Sequence, residues 1–458
     1  MTGLERLRSS LDGEVLTAET PGYDRARLPQ NRTFRDTRPA LIVECESEED
    51  VVRAIAYARS TGLPLVPRGG GHCFAGRSST EGMVLDLSPL NKISVSPDGE
   101  AVIGAGVRLG AVYRGLHAWG RTLPAGCGPS VGIAGLTLGG GIGLLGRARG
   151  LTCDRLLGAR VVLADGAVIE CDAQHDSDLF WALRGAGGGQ FGVVTSLRFA
   201  TLPEPLACRI EAYWPDTDPG ALVAAWQSWA PVAPEQLTVN LTVETDPDSP
   251  TAWIQLSGAS TLPVTRTREL LYAFAAVSVP AGVLQVSEPV PYSSLKEMLS
   301  DDARSSTVEP LRIRSEFFAD PIDDYTIARL LSCLIAGGSP RSRRLTFTAM
   351  GGAYNRVTQS ATAFAHRGER FLLEHVGDPT DPWIDASWDV AHPHASGRVY
   401  PNFPDLALED PLRAYHGANL LRLSAVKRRY DPDQFFDFPQ AIPPAGPHPT
   451  EHTKEVHT

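Results

Sequence analysis

Nowhere in the 458 residues do about 18 apolar residues run together, so the usual signature of a membrane-spanning helix is missing. The opening segment, Met1-Thr-Gly-Leu-Glu-Arg-Leu-Arg-Ser-Ser10, lacks the apolar core of a secretory leader, and the expectation is a cytoplasmic protein. Cysteine is sparse. The seven thiols, Cys45, Cys73, Cys127, Cys153, Cys171, Cys208 and Cys333, are odd in number, dispersed and without a CxxC pair. Neither a disulfide framework nor a zinc cluster is expected. Basic runs are equally scarce, the longest being Lys427-Arg428-Arg429. With 42 Lys+Arg against 53 Asp+Glu the net charge is −11, which argues against nucleic acid or an anionic membrane as partner. His392-Pro-His394 offers two imidazoles, but the proline breaks helical ligand spacing and no acid stands in register, so no metal site is expected.

Glycine is what the chain has in quantity: 44 residues, alongside 36 prolines. It concentrates in two stretches. Arg68-Gly69-Gly70-Gly71-His72 follows the apolar run Leu63 to Pro67, and Pro124 to Gly132 continues to Gly139-Gly140-Gly141-Ile142-Gly143. Glycine weakens helix and strand, so it is kept where backbone takes φ > 0 or lies against something bulky. The second stretch interleaves Val131, Ile133, Leu136, Leu138 and Ile142, the mark of a buried segment rather than a flexible linker. Successive bare amides form a nest of donors suited to a diphosphate.

The length suggests two domains. Ala40 to Cys45 reads as a strand, Ser47-Glu-Glu-Asp50 as a helix start and Gly62 as its cap, with Leu63 to Pro67 returning as strand. This β-α-β unit delivers His72 at a strand end, where ligand sites of α/β folds gather. Hairpins are expected across Asp98-Gly99 and Asp165-Gly166. Leu202-Pro-Glu-Pro205 reads as a domain boundary. Beyond it strands are expected at Arg209 to Trp214, Thr238 to Glu244, Ala252 to Gly258, Ser315 to Phe318, Leu345 to Met350 and Arg370 to Val376. Helices are expected at Pro219 to Trp229, Val264 to Val277, Asp323 to Ile335 and Pro411 to Tyr430, and the tail beyond Pro443 is expected to be disordered.

The order of motifs carries a resemblance. Arg68-Gly-Gly-Gly-His72, Val84-Leu-Asp-Leu-Ser-Pro-Leu-Asn91, Gly104-Ala-Gly106, the long glycine stretch, Asp178-Leu-Phe-Trp-Ala-Leu-Arg-Gly185 through Gly192-Val-Val-Thr195, Tyr415-His-Gly-Ala-Asn419 and Val426-Lys-Arg-Arg-Tyr-Asp-Pro432 resemble the berberine-bridge-enzyme-like FAD-linked oxidases of the vanillyl-alcohol-oxidase type. The resemblance implies an α+β, two-domain p-cresol-methylhydroxylase-type (PCMH-type) FAD-binding fold. Its flavin domain, residues 1–204, would be joined by a returning segment, 403–442, and roofed by an antiparallel-sheet substrate domain, 205–402. Residues 443–458 would form the tail.

The resemblance implies FAD joined covalently through His72. A second link through Cys127 is in doubt, because Gly128 holds the place of the family's cysteine and Cys127 stands one residue earlier. It also implies cofactor contacts from Arg68, Gly69, Gly70, Gly71, Val131, Gly132, Gly135, Gly140, Gly143, Val193, Val194, Tyr415 and Asn419. The implied activity is oxidation of a small organic substrate (a sugar, alcohol or secondary metabolite), with O₂ as electron acceptor. The alternative is a flavoprotein that binds, cyclises or sequesters a natural product without net oxidation. Family oxidases often carry a tyrosine base in a Tyr-x-Asn-Tyr-x-Asp pattern, and here Tyr400-Pro-Asn402-Phe403-Pro-Asp405 puts Phe403 in its place. Glu374 and His375, on one strand, are the substitute candidates, and because neighbours on a strand face opposite ways only one can look at the flavin. Met350 and Tyr354 are expected in the pocket wall. Two Gly-x-Gly-x-x-Gly matches, at 141–146 and 187–192, lack the strand-helix context of a dinucleotide fingerprint. Gly128-Pro-Ser130-Val-Gly132 fits a hydrolase elbow in letters only, since a loop rather than a helix is expected after it.

Overall fold

The computed structural model describes residues 2–214, 218–245, 252–277, 283–304, 310–336 and 341–446. Ser47 opens the first long helix, Glu48–Thr61: its side chain accepts from the Asp50 amide, acids fill the first turn, and Gly62 ends it at φ 69°. The helix joins two strands of a four-stranded sheet ordered Val15–Leu16, Leu41–Glu44, Met83–Asp86, Leu65–Arg68. The last three are parallel. Their C-terminal ends therefore lie together, and Gly69 to His72 emerge there.

A second, antiparallel sheet has the order Ile93–Val95, Glu100–Gly104, Val193–Ala200, Leu156–Val162, Val168–Asp172. Both expected hairpins are present, turning at Gly99 (φ 89°) and Gly166 (φ 86°). One apolar core gathers buried residues from Leu7 to Phe199 together with Leu423, Val426, Tyr430, Phe436 and Ile442 from the far end of the chain.

The third large sheet runs Val283–Val286, Leu206–Trp214, Ala252–Ser260, Leu237–Thr245, Arg344–Ala349, Phe371–Gly377, Arg312–Phe318, antiparallel throughout, with Val290–Pro291 pairing beside Leu206–Trp214. Alternation gives it two unlike faces. Leu237, Val239, Leu241 and Val243 enter a core shared with the helices Pro219–Trp229, Asp324–Ile335 and Trp383–Ala391. Thr238, Asn240 and Thr242 therefore fall on the opposite face, towards the glycine loops.

Four features depart from expectation. The edge strands at 283–286 and 290–291 and the helices Tyr292–Arg304 and Trp383–Ala391 lie outside the expected elements. The glycine stretch is not all loop: Ile133–Leu138 forms a helix between Gly132 and Gly139. The expected helix from Pro411 to Tyr430 breaks into Pro411–His416 and Leu420–Tyr430, because Gly417 takes φ 51° and a 3-10 turn follows. Ala445 is tied to the last helix, its amide donating to Ser424 O at 2.9 Å, while the rest of the expected disordered tail from 447 to 458 lies outside the described residues.

Candidate active site

The two glycine stretches cross. A Cβ on Gly70 would lie 2.2 Å from the Gly132 nitrogen, and one on Gly132 would lie 2.5 Å from the Gly70 nitrogen, so only bare backbone allows the approach. The crossing floors a cavity of about 490 Å³, within the range of small-molecule sites, which reaches from Pro67, Phe436 and Phe438 to the polar face of the large sheet. Gly69, Gly70, Gly71, His72, Cys127, Val131, Gly132, Gly135, Gly143 and Val194 all line it.

His72 is held by Ser130, whose Oγ lies 3.0 Å from Nε2. Burial, with the Arg108 charge adding to it, lowers the imidazole pKa to about 4, so the ring is neutral at ordinary pH. Cys127 lies beside a lysine that no motif announced. The Lys296 Nζ is 3.0 Å from Cys127 Sγ, 3.2 Å from Gly126 O and 3.4 Å from Ala125 O, and it sits over the Tyr113 and Tyr292 rings. Burial alone would lower its pKa, but the neighbouring Cys127 and Tyr113 hold it above the usual lysine value.

The roof supplies side chains instead of backbone. Thr238, Asn240, Thr348 and Glu374 line the cavity from three neighbouring strands. Burial raises the Glu374 pKa to about 7, against the opposing influence of Arg344 and Thr348. At the side, the Phe74 and Phe403 rings meet edge to face at 5.5 Å. Tyr354 and Tyr400 tie roof to floor: the Tyr354 hydroxyl donates to Gly143 O at 2.8 Å and accepts from its amide, and the Tyr400 hydroxyl accepts from the Gly141 and Ile142 amides, each at 3.1 Å. Arg147, 1% exposed, donates across the same junction to the carbonyls of Met350 (2.9 Å), Pro231 (3.0 Å), Ala233 (2.7 Å) and Leu237.

Several expected site residues lie elsewhere. His375 faces away from the cavity, as strand alternation requires once Glu374 faces in; it is fully buried against Ser387 (2.9 Å) and Glu316 (3.3 Å). Val193 and Val194 divide in the same way, and only Val194 lines the cavity. Arg68 turns its guanidinium onto the carbonyls of Ser78, Ala26 and Arg27, bracing the loop from behind. Gly140, at φ 118°, makes room for the Phe364 ring, which a Cβ would meet at 2.8 Å. Tyr415 bonds to Asp405 and Gln440, Asn419 donates to the carbonyls of Gln359, Thr362 and Ala363, and neither lines the cavity. Met350 is buried beside it rather than in its wall, whereas Tyr354 is in the wall as expected.

Comparison with known proteins accounts for this architecture. The family "FAD binding domain" matches residues 39–172, and "Berberine and berberine like" matches residues 399–443. An uncharacterized FAD-linked oxidoreductase of Bacillus subtilis, YgaK, is 33% identical over 95% of this chain and 98% of its own length. The chain belongs to the berberine-bridge-enzyme-like FAD-linked oxidoreductases. The solved structure of Physcomitrella patens BBE-like 1 superposes with a TM-score of 0.88 at 28% identity, covering 97% of this chain and 100% of that one. The glucooligosaccharide oxidase of Sarocladium strictum is 27% identical over 93% of this chain and 92% of its length.

The cavity fits the FAD this family uses. Arg77 Nε and Ser78 Oγ are buried polar atoms in its lining with no partner among the described residues, available to a polar ligand. A Cβ on Gly135 would meet nothing within 4 Å, and one on Gly188 nothing nearer than 3.8 Å, so these glycines leave room for a group. Motif reading also passed over residues that line this cavity or tie its edges together. Lys296 and Arg147 sit outside any motif, and neither leaves a local signature. Thr238 and Asn240 did leave one, because the alternation Leu-Thr-Val-Asn-Leu-Thr-Val from Leu237 to Val243 marks a strand with a polar face.

Proposed function

We propose that the chain is an oxidase of a hydroxyl-bearing small molecule, with FAD held covalently by His72 alone and Glu374 as the general base. The observation that carries this is the placement of Glu374, whose pKa burial raises to about 7, on the roof of the cavity whose floor holds His72. A base works best when its pKa lies near the operating pH, and Phe403 cannot serve. Bound FAD would accept hydride from the substrate carbon, and dioxygen would reoxidise it to give hydrogen peroxide.

The protein's own residues do the rest. The amides of Gly69 to Gly71 would hold the diphosphate, and Pro67, Val194, Phe436 and Phe438 would enclose the adenine end. Glu374 Oε would take the hydroxyl proton as the carbon–hydrogen bond breaks. Thr238 Oγ1 and Asn240 Oδ1, buried and without partners among the described residues, would orient further hydroxyl groups, while Phe74 and Phe403 keep water from the reacting carbon. The oligosaccharide oxidases among the relatives and the polar roof both favour a polyhydroxylated substrate. The displacement of Cys127 by one position supports a single covalent link.

A panel of sugars, polyols, benzylic alcohols and simple alkanols, scored for peroxide release and for flavin bleaching without oxygen, tests the reading. Turnover of a polyhydroxylated compound that is lost in Glu374→Gln is expected. An unchanged rate in that variant, or bleaching by alkanols only, would overturn it.

A further inference from the structure

Ser130 is left without a task by the flavin reading. Its letters suggested a hydrolase nucleophile and its hydroxyl does contact a histidine, but no carboxylate pairs with His72 among the described residues, and the residues from Leu123 to Pro129 form a loop, not the strand of an elbow. A serine–histidine pair without an orienting third group lacks the arrangement that makes the serine a nucleophile.

We infer that Ser130 is a positioning residue for attachment of the flavin to His72: its hydroxyl accepts the Nε2 proton, fixing the tautomer whose Nδ1 lone pair is free to bond. This rests on the His72 linkage proposed above. The contact is 3.0 Å, and the crossing of the loops fixes it. A Cβ on Gly70 would lie 3.0 Å from Ser130 O as well as 2.2 Å from the Gly132 nitrogen, so the backbone two residues before His72 is pinned against that of Ser130. A neutral imidazole, which this site provides, is the form that can act as a nucleophile. The partner of one ring nitrogen decides which tautomer is present.

Attachment forms a bond between Nδ1 and the 8α carbon of the flavin and breaks one carbon–hydrogen bond there. The proton from that carbon and the Nε2 proton go to solvent, the latter by way of the Ser130 hydroxyl. The electron pair of the broken bond passes into the isoalloxazine, and dioxygen removes it as hydrogen peroxide.

The experiment follows colour that stays with acid-precipitated protein. Full-length protein is made under riboflavin depletion and given FAD, and wild type, His72→Ala, Ser130→Ala and Ser130→Thr are compared for total flavin bound and for the rate at which it becomes acid-stable. Wild type is expected to convert fully and His72→Ala not at all. Ser130→Ala is expected to bind as much FAD but convert about tenfold more slowly, and Ser130→Thr, which restores the hydroxyl, to convert near the wild-type rate. Conversion of Ser130→Ala at the wild-type rate, an equal loss in Ser130→Thr, or failure of Ser130→Ala to bind FAD overturns the inference. Absence of acid-stable flavin in the wild type itself marks failure of the linkage and takes the inference with it.

Discussion

Floor and roof of the cavity are made of different materials. The floor is peptide backbone, two glycine stretches in contact at Gly70 and Gly132, and its shape cannot change without moving main chain. The roof is one face of a twisted sheet, where Thr238, Asn240, Thr348 and Glu374 project from strands whose pairing does not depend on them. A cofactor common to a family needs a fixed cradle, whereas a substrate that differs between members needs a surface that can be altered residue by residue. Building the first from backbone and the second from side chains meets both needs.

The largest effect should come from the roof. Glu374→Gln is expected to lower turnover by roughly 10²–10⁴-fold with the bound flavin unchanged. In the wild type, kcat/KM should fall tenfold per pH unit below about 7, where the carboxylate becomes protonated and cannot accept, and level off above it. A pH profile without that inflection breaks the assignment. Next is the junction. Arg147→Met leaves several buried carbonyls without a donor, at about 1–3 kcal/mol each, and denaturant melts should show a loss on the order of 3 kcal/mol or more.

The floor itself is tested by a pair of substitutions. Gly70→Ala drives a methyl into the backbone of Gly132 and should cost about 1–3 kcal/mol as overpacking. Gly135→Ala, with open space above it and a helical position, should leave stability unchanged or raise it by about 0.5–1 kcal/mol. Equal costs would show that the crossing does not define the floor. The smallest effect is expected for Asn240→Ala: a stability change within about 0.5 kcal/mol, with KM for a polyhydroxylated substrate raised about fivefold, as for loss of one hydrogen bond worth about 1 kcal/mol.

The same contrast explains what could be read from the sequence. Gly69 to His72 and Gly126 to Gly143 were legible because glycine at close approaches is chemically irreplaceable, and Ser47, Gly62, Gly99 and Gly166 marked helix and turn ends for the same kind of local reason. Which of Glu374 and His375 faced the cavity was not legible, since alternation sets only that they differ and the packing of His375 against Ser387 and Glu316 sets the sense. Tyr415 and Asn419 sat in a matching motif yet serve to hold loops. Lys296 and Arg147 act across more than 80 residues of chain, on Gly126 and Leu237 respectively, a distance over which sequence patterns carry no signal.

Phe436 and Phe438 share the cavity wall with Pro67, and Lys427 anchors their segment through Gln190 O at 2.6 Å and Phe436 O at 3.0 Å. A cavity walled from two distant parts of the chain is therefore complete only once residues 427–438 have folded back onto the N-terminal half.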